Sequence, residues 1–178
     1  MSKVLFEETK EAQQSNNMLS ACTDVWCQIF GVHPDDITRH KKKDKLFILD
    51  QEFAIDVTVT LKNGANITGQ EKALSNVYYK HRTFTMEFYQ DRNMNKPGEF
   101  FKIASQFYLS GYSDTSGTQF IEWKMFNLGS FMMWLNTDLR RRELDRMTIG
   151  AGGSGACFLP IPYEWIPKEC VVAEWCKG

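Results

Sequence analysis

The sequence predicts one α/β domain, residues 1–178, in which a mixed central β-sheet is flanked by helices. The 178 residues are a usual length for a single domain with a well-buried core. Hydrophobic residues make up 43% of the chain and charged residues 24%, which is ordinary for a globular protein. Segments with helical and with alternating periodicity follow one another, and no internal repeat or domain-scale linker separates them.

The first part of the chain is predicted to form a helix followed by strands. The apolar spacing of residues 3–30 predicts a long helix, and Gly31 is a plausible stop for it. A short apolar run at 46–49 predicts a strand, and the period-two alternation over 53–61 predicts the next one. Asn63-Gly64 then gives the strongest hairpin signal in the chain, so the following segment is expected to pair with 53–61.

The rest of the chain continues as alternating strands and helices. We predict strands over 66–74 and 83–89, a helix over 99–112, a strand over 119–126, a helix over 128–147 and strands over 156–161 and 170–175. The helix over 99–112 is predicted because Phe100, Ile103, Ala104 and Phe107 fall on one helical face. The glycine-rich segment 150–155 is predicted to be a flexible loop.

Charge, cysteines and the first residues indicate an intracellular protein. The net charge of -1 gives no global basic field, and the basic clusters at 39–45 and 140–146 are interpreted as solvated faces or loop ends. Five cysteines without metal-ligand spacing favour free thiols in a reducing compartment. Residues 1–14 lack the apolar core of a signal peptide, and no apolar run predicts a membrane span. We therefore expect a cytoplasmic protein, or one in the host cytoplasm if it is phage-encoded.

Side chains with metal-site chemistry gather at the open end of the predicted hairpin. A two-residue turn would place Asp56 opposite Glu71, whereas a three-residue loop with Gly64 left-handed would place Asp56 opposite Gln70, with Lys72 on the same face. Either register brings together an acid, a second oxygen ligand and a lysine. Phosphodiester hydrolysis requires a hard cation held by oxygen ligands, and a neighbouring ammonium stabilises the developing charge.

The segment Ile55-Asp56, thirteen residues, then Gln70-Glu71-Lys72, behind a long N-terminal helix, resembles the PD-(D/E)xK nuclease superfamily. This superfamily covers restriction enzymes, Holliday-junction resolvases and many phage nucleases. The resemblance implies a restriction-endonuclease-like αβββαβ core and Mg²⁺ or Mn²⁺ as the cofactor. It also implies that Asp56 binds the metal, that Gln70 occupies the second acidic position, and that Lys72 is the catalytic lysine.

The departure at Gln70 directs attention to other candidate residues. An amide in place of an acid removes a charge, so Glu71 or Glu87 is expected to supply a carboxylate to the metal. The resemblance also implies an upstream acid on the helix, for which Glu8 and Glu11 are the candidates. Candidate substrate-binding residues are Lys80 and Arg82, in the basic-aromatic stretch 78–82, and Gln106, in the predicted helix over 99–112.

Two functions of different classes follow from these residues. The first is a Mg²⁺-dependent endonuclease or exonuclease that hydrolyses phosphodiester bonds of nucleic acid, with DNA as the expected substrate, encoded by a phage or mobile element. A homodimer is compatible with cutting two strands. The alternative is a catalytically inactive nuclease-like fold that binds protein or nucleic acid, in which Gln70 marks a decayed site. A separate interpretation of Asp56 and Lys72 is an ordinary solvated cross-strand ion pair.

Overall fold

The computed structural model describes residues 10–40, 47–137, 149–150 and 155–177. Its helices are α1 (Lys10–Asn17), α2 (Leu19–Phe30), α3 (Phe47–Phe53) and α4 (Leu128–Thr137). Its strands are β1 (Ile37–Arg39), β2 (Val57–Thr60), β3 (Asn66–Leu74), β4 (Thr83–Asp91), β5 (Lys96–Pro97), β6 (Phe107–Ser113), β7 (Phe120–Asn127), β8 (Ile149–Gly150), β9 (Cys157–Pro162) and β10 (Val171–Cys176).

The described strands form two sheets. The larger sheet has the order β1-β2-β3-β6-β7-β10, and the smaller one has the order β5-β4-β9-β8. In the larger sheet β3 and β6 run parallel and every other neighbouring pair runs antiparallel. All pairs of the smaller sheet are antiparallel. The predicted α/β class with a mixed sheet is therefore confirmed.

Two apolar clusters cover opposite faces of the larger sheet. On one face α2 packs against β2, β6 and β7, and Trp26 lies directly over Gly69, where an added Cβ would be 2.2 Å from the indole ring. On the other face Tyr108 and Phe126 pack against the smaller sheet through Phe84 and Leu159. Residues that alternate along a strand point to opposite faces. Each strand of the larger sheet therefore presents one set of side chains to α2 and the other set to the smaller sheet.

The strand over 83–89 does not join the hairpin, as the third strand of the αβββαβ core implied by the resemblance would. The strand exists as β4, but it pairs with β9 in the smaller sheet. The connection from β3 contains a 3-10 turn, Asn76–His81, and Arg82 adopts a left-handed φ of 43°. After this turn the chain leaves the larger sheet. The second edge of β3 pairs instead with β6, a strand from later in the sequence.

The predicted helix over 99–112 is also wrong. A short 3-10 turn, Glu99–Phe101, is followed by β6, which pairs with both β3 and β7. Because β6 is central, Tyr108, Leu109 and Tyr112 are buried on both of its faces. Such a strand is a continuous apolar run, which periodicity alone does not distinguish from a buried helix.

The remaining predictions concern the first helix, the strand over 46–49 and the segments outside the described residues. Residue 47 begins α3, so the predicted strand over 46–49 is wrong, whereas the predicted long first helix is divided into α1 and α2 and ends at a left-handed Gly31 as expected. Residues 3–9, 138–148 and 151–154, and with them the whole second basic cluster, lie outside the described residues, as do positions 41–45 of the first cluster. In the described part of the chain no helix is both long and apolar enough to cross a lipid bilayer.

Candidate metal-binding active site

The hairpin loop determines which residues meet at the open end. The backbone N–H of Leu61 donates to the carbonyl of Ala65, and Gly64 has a left-handed φ of 80°. This is the three-residue loop of the second predicted register, and it pairs Val57 with Gly69. Asp56 consequently lies at the level of Gln70, and the alternative that placed Asp56 opposite Glu71 is wrong.

A cavity of about 290 Å³ opens beside these residues. Four chain segments supply its walls: α3 and the residue after it, β3, β4, and the turn that precedes β6. The lining residues are Asp50, Ala54, Gln70, Lys72, Glu87, Glu99 and Lys102. The cavity therefore collects three acids, two lysines and an amide from segments that are distant in sequence.

Asp56 and Asp50 form a carboxyl pair at the edge of this cavity. The two side chains are hydrogen-bonded, which requires a proton on one of them. Burial raises the pKa of Asp56 well above its usual range, and the negative charge of Asp50 raises it further. The Asp56 carboxylate also accepts a hydrogen bond from the backbone N–H of Glu71 at 2.9 Å, which lowers this pKa in part. Because carboxylate ligands bind a metal ion in their deprotonated form, a cation at this pair would compete with a proton.

Among the described residues, the buried amide oxygen of Gln70, which lines the cavity, has no hydrogen-bond partner. Close to the cavity, the Glu99 carboxyl group and the Tyr108 hydroxyl interact with each other. Gln70 pairs with Tyr108 across the parallel β3–β6 ladder, so the two side chains share one face of the sheet. Burial raises the pKa of Glu99, and the nearby Lys72 partly offsets that rise. Buried polar oxygens without partners are costly, and a bound cation or donor would satisfy them.

Two lysines supply the positive charge of the cavity. The Lys72 ammonium lies 5.1 Å from the centroid of the Phe158 ring, which confines it over an aromatic face next to Glu99. The Lys102 ammonium donates to the carbonyl of Gln51. Lys72 is thus oriented by its surroundings, as a lysine that positions a reacting group must be.

Glu71 faces the opposite side of the sheet from the cavity. Its carboxylate accepts from the Trp26 indole N–H at 2.8 Å and pairs with Arg39, whose side chain is only 16% exposed. Both partners lie on the face that carries α2. The prediction that Glu71 supplies a metal ligand is therefore wrong, because its two oxygens already hold β3 to the helix layer. Glu87, the other predicted carboxylate, does line the cavity.

The predicted substrate-binding residues lie away from the cavity walls. Arg82 forms a bidentate ion pair with the buried Glu122, and it is separated from Glu87 by roughly 15 Å of nearly extended chain. Lys80 is exposed in the 3-10 turn before β4. Gln106 lies in a loop rather than a helix, and its amide oxygen accepts from the Thr68 backbone N–H at 2.9 Å. Arg82 and Gln106 thus have structural partners, and substrate binding by Lys80 stays a prediction.

The upstream acids cannot be placed beside the cavity. Glu8 lies outside the described residues. Glu11 belongs to α1, but the structure describes only its backbone. The prediction that one of them completes the metal site stays a prediction.

Sequence reasoning missed four residues that the fold brings to or beside the cavity: Asp50, Glu99, Lys102 and Tyr108. One signal could have found Glu99. Glu99 directly follows Gly98, and a glycine in such a position can mark a close approach of two backbones. The structure shows that approach, because an added Cβ at Gly98 would be 2.5 Å from the backbone oxygen of Glu87. Tyr108 was hidden by the prediction of a helix.

The side-chain oxygens at and beside the cavity are of the chemical type that binds a hard divalent cation. The oxygens of Asp56, Gln70, Glu99 and Glu87 are the ligand type that Mg²⁺ and Mn²⁺ prefer. The described residues contain no group of three or more His, Cys, Asp or Glu side chains gathered to hold a metal ion. A metal site here therefore has to include the amide oxygen of Gln70. Comparisons with protein-family models, with curated proteins and with solved structures find no match to this chain.

Proposed function

We propose that this protein is a metal-dependent nuclease that hydrolyses phosphodiester bonds, with DNA as the expected substrate. The observation that carries the proposal is the buried amide oxygen of Gln70, which has no partner among the described residues and lies in a cavity lined also by Lys72 and by Asp50, the neighbour of Asp56. The proposed ligands are Asp56, Gln70 and one further carboxylate, Glu99 or Glu87, because no three acids gather to hold a metal among the described residues. A Mg²⁺ or Mn²⁺ ion bound there would neutralise phosphate charge and lower the pKa of its water.

The chain's own groups have distinct tasks in this proposal. Asp56 gives up the proton that it shares with Asp50 and becomes an anionic ligand. Lys72, held over Phe158, directs its ammonium toward an anionic oxygen in the cavity and stabilises charge that develops there. Lys102 adds positive charge at the same wall and favours entry of a phosphate.

We propose that the chain shares only part of the restriction-endonuclease-like core. The segment from α2 through β2 and β3 supports the likeness, because it puts Asp56, Gln70 and Lys72 at one end of a hairpin behind a helix. The third strand and the second helix of an αβββαβ core have different counterparts here, namely β4 in the smaller sheet and the parallel strand β6.

Cleavage of plasmid and single-stranded DNA with Mg²⁺ or Mn²⁺ tests the proposal. Wild-type protein is expected to cut in a metal-dependent way, and Asp56→Ala and Lys72→Ala are expected to lose at least about 100-fold in rate, typical of the loss of one charge-stabilising group. Lys62→Ala, at the exposed hairpin tip, is the matched control and keeps full activity. Full activity in both site variants, or its absence in folded wild type, would end the proposal.

A second candidate is an inactive nuclease-like fold that binds protein or nucleic acid. The observation in its favour is the amide at Gln70 together with the lack, among the described residues, of a ligand set made from acids, histidines and cysteines alone. This candidate predicts no saturable Mn²⁺ binding. Loss of a single Mn²⁺ site in Asp56→Ala would count against it.

A further inference from the structure

Two exposed aromatic side chains stand on the segments that wall the cavity. Phe53 ends α3, directly before the lining residue Ala54, and is 46% exposed. Phe101 precedes the lining residue Lys102 and is 52% exposed. The two segments are joined by a hydrogen bond of 2.8 Å from the Ala104 backbone N–H to the Phe53 carbonyl. The two aromatic residues therefore belong to one hydrogen-bonded rim rather than to separate surfaces.

Phe101 is held in place despite its exposure. Its ring lies 4.8 Å from the ring of Phe88 and 5.9 Å from that of Tyr89, measured between centroids. An aromatic ring that is supported on one side and open to solvent on the other offers a fixed stacking surface. What distinguishes Phe101 from other exposed apolar side chains is this support together with its position next to the lining residue Lys102, and a ring fixed there suits a ligand with an apolar face.

The cavity and the charge of the chain limit what that ligand is. A volume of about 290 Å³ is at the small end of ligand cavities and holds one nucleotide-sized group rather than a duplex. The net charge of -1 gives no global basic field to attract the two phosphate backbones of a duplex. Stacking of unpaired bases on aromatic rings supplies affinity that needs few phosphate contacts.

We propose that the substrate is single-stranded or locally unpaired nucleic acid, whose bases stack on Phe53 and Phe101 while one phosphodiester enters the cavity toward Lys72. This inference rests on the proposed nuclease function and specifies its substrate class. In this arrangement the aromatic rim selects unpaired strands, and the lysines Lys72 and Lys102 select the phosphate.

Binding measured without cleavage tests the inference. Fluorescence anisotropy of a short labelled single strand and of the matched duplex is recorded in EDTA, for wild type and for Phe53→Leu and Phe101→Leu. The leucine variants keep apolar bulk and remove the aromatic face. Trp175→Leu is the matched control, because Trp175 is 45% exposed on β10, which is separated from β3 by β6 and β7.

The single strand is expected to bind at least tenfold more tightly than the duplex, and each rim variant is expected to weaken that binding about fivefold or more. Trp175→Leu binds like wild type. An abasic site introduced within the bound stretch of the strand weakens binding to wild type but has less effect on the rim variants. Equal or tighter binding of the duplex, or rim variants that bind like wild type, overturns the inference.

Cleavage separates this inference from the proposed function. Asp56-dependent cutting of duplex DNA in preference to single strands keeps the nuclease and overturns the single-strand preference. Tight, rim-dependent binding of single strands without any metal-dependent cutting overturns the nuclease and leaves a single-strand binding surface.

Discussion

In the proposed site, Asp56 is the residue at which protonation, metal binding and stability are coupled. Its pKa is raised by burial and by Asp50, so its ionisation opposes folding in the metal-free protein. A raised folded-state pKa gives stability that is complete below the unfolded pKa and is lost as the pH rises through the folded one. The metal-free protein is therefore expected to become less stable as the pH rises from about 4.

Asp56→Asn is expected to remove part of this pH dependence. The amide oxygen still accepts from the Glu71 backbone N–H, and the amide N–H₂ supplies to Asp50 the hydrogen that the shared proton supplied. At pH 8 the metal-free variant is expected to be more stable than wild type by on the order of 1 kcal/mol or more, and the difference is expected to vanish near pH 4. Urea unfolding in EDTA at both pH values measures this, and a variant less stable than wild type at pH 8 contradicts it.

Gln70→Glu tests whether the amide position is a ligand position. A carboxylate there adds a negative charge beside Glu99, so the metal-free protein is expected to lose about 1–3 kcal/mol of stability. The same charge is expected to raise Mn²⁺ affinity by about tenfold or more, since charged oxygen donors bind hard cations more strongly than amides do. Calorimetric titration with Mn²⁺ measures the change, with Gln106→Glu as the control outside the cavity. Unchanged Mn²⁺ affinity in Gln70→Glu would place the ligand set elsewhere.

At the scale of elements, the turn before β6 positions Glu99 through the close contact of Gly98 with β4. Gly98→Ala would put a Cβ 2.5 Å from the Glu87 backbone oxygen, so the turn has to move away from the cavity. We expect a loss of about 1–3 kcal/mol of stability together with weaker Mn²⁺ binding. Gly129→Ala in α4 is the control, because its new Cβ would approach only Asn127 Oδ1, at 3.3 Å, rather than the backbone of another strand. Wild-type Mn²⁺ affinity in Gly98→Ala would separate Glu99 from the site.

The hairpin could be predicted from sequence because its signals are local. Asn63-Gly64 marks the turn, and the alternation on both sides marks the strands, so β3 was predicted with its observed bounds. These local signals do not determine the length of the loop. A change of one residue in the loop decides whether Gln70 or Glu71 lies opposite Asp56. The buried Trp26 and Arg39 settle that choice by holding Glu71 on the helix side, and such long-range contacts leave no local pattern in the sequence.

β6 was missed for a related reason. Tyr108, Leu109 and Tyr112 are buried by strands on both sides, so the alternation that marks a half-buried strand is absent. Missing β6 also meant missing part of the site. Tyr108 and Glu99 can be placed near Gln70 only from the parallel pairing of β3 with β6. Half of the site, Asp56, Gln70, Lys72 and Glu87, was accessible from one hairpin and the next strand, and the other half depends on tertiary structure.

For the whole molecule, the ion pair of Arg82 and Glu122 links the two sheets. Arg82 directly precedes β4 of the smaller sheet, and Glu122 lies on β7 of the larger one. The Glu122 side chain is 2% exposed and that of Arg82 is 56% exposed, so the two partners are not equivalent. Removing the arginine leaves a buried carboxylate without its main partner, whereas an arginine that loses its partner is still solvated.

Arg82→Ala is therefore expected to destabilise the protein by about 3 kcal/mol or more, and Glu122→Gln by only about 1 kcal/mol. Urea unfolding of both variants measures the difference. The folded fraction of each is expected to bind Mn²⁺ like wild type, because the pair lies roughly 15 Å from the cavity along β4. Equal losses in the two variants, or lost Mn²⁺ binding by folded protein, would contradict this account of Arg82 as a structural residue.

The most direct test of the central claim is Mn²⁺ binding by wild type, Gln70→Leu and Asp56→Asn, measured by calorimetry on proteins whose folding is verified by circular dichroism. The account predicts one saturable site in wild type whose affinity rises with pH, and its loss in both variants, while Glu71→Gln, on the other face of β3, keeps the site. Absence of a saturable site in wild type, or a site that both variants retain, would contradict the claim that Asp56 and Gln70 hold a catalytic metal ion.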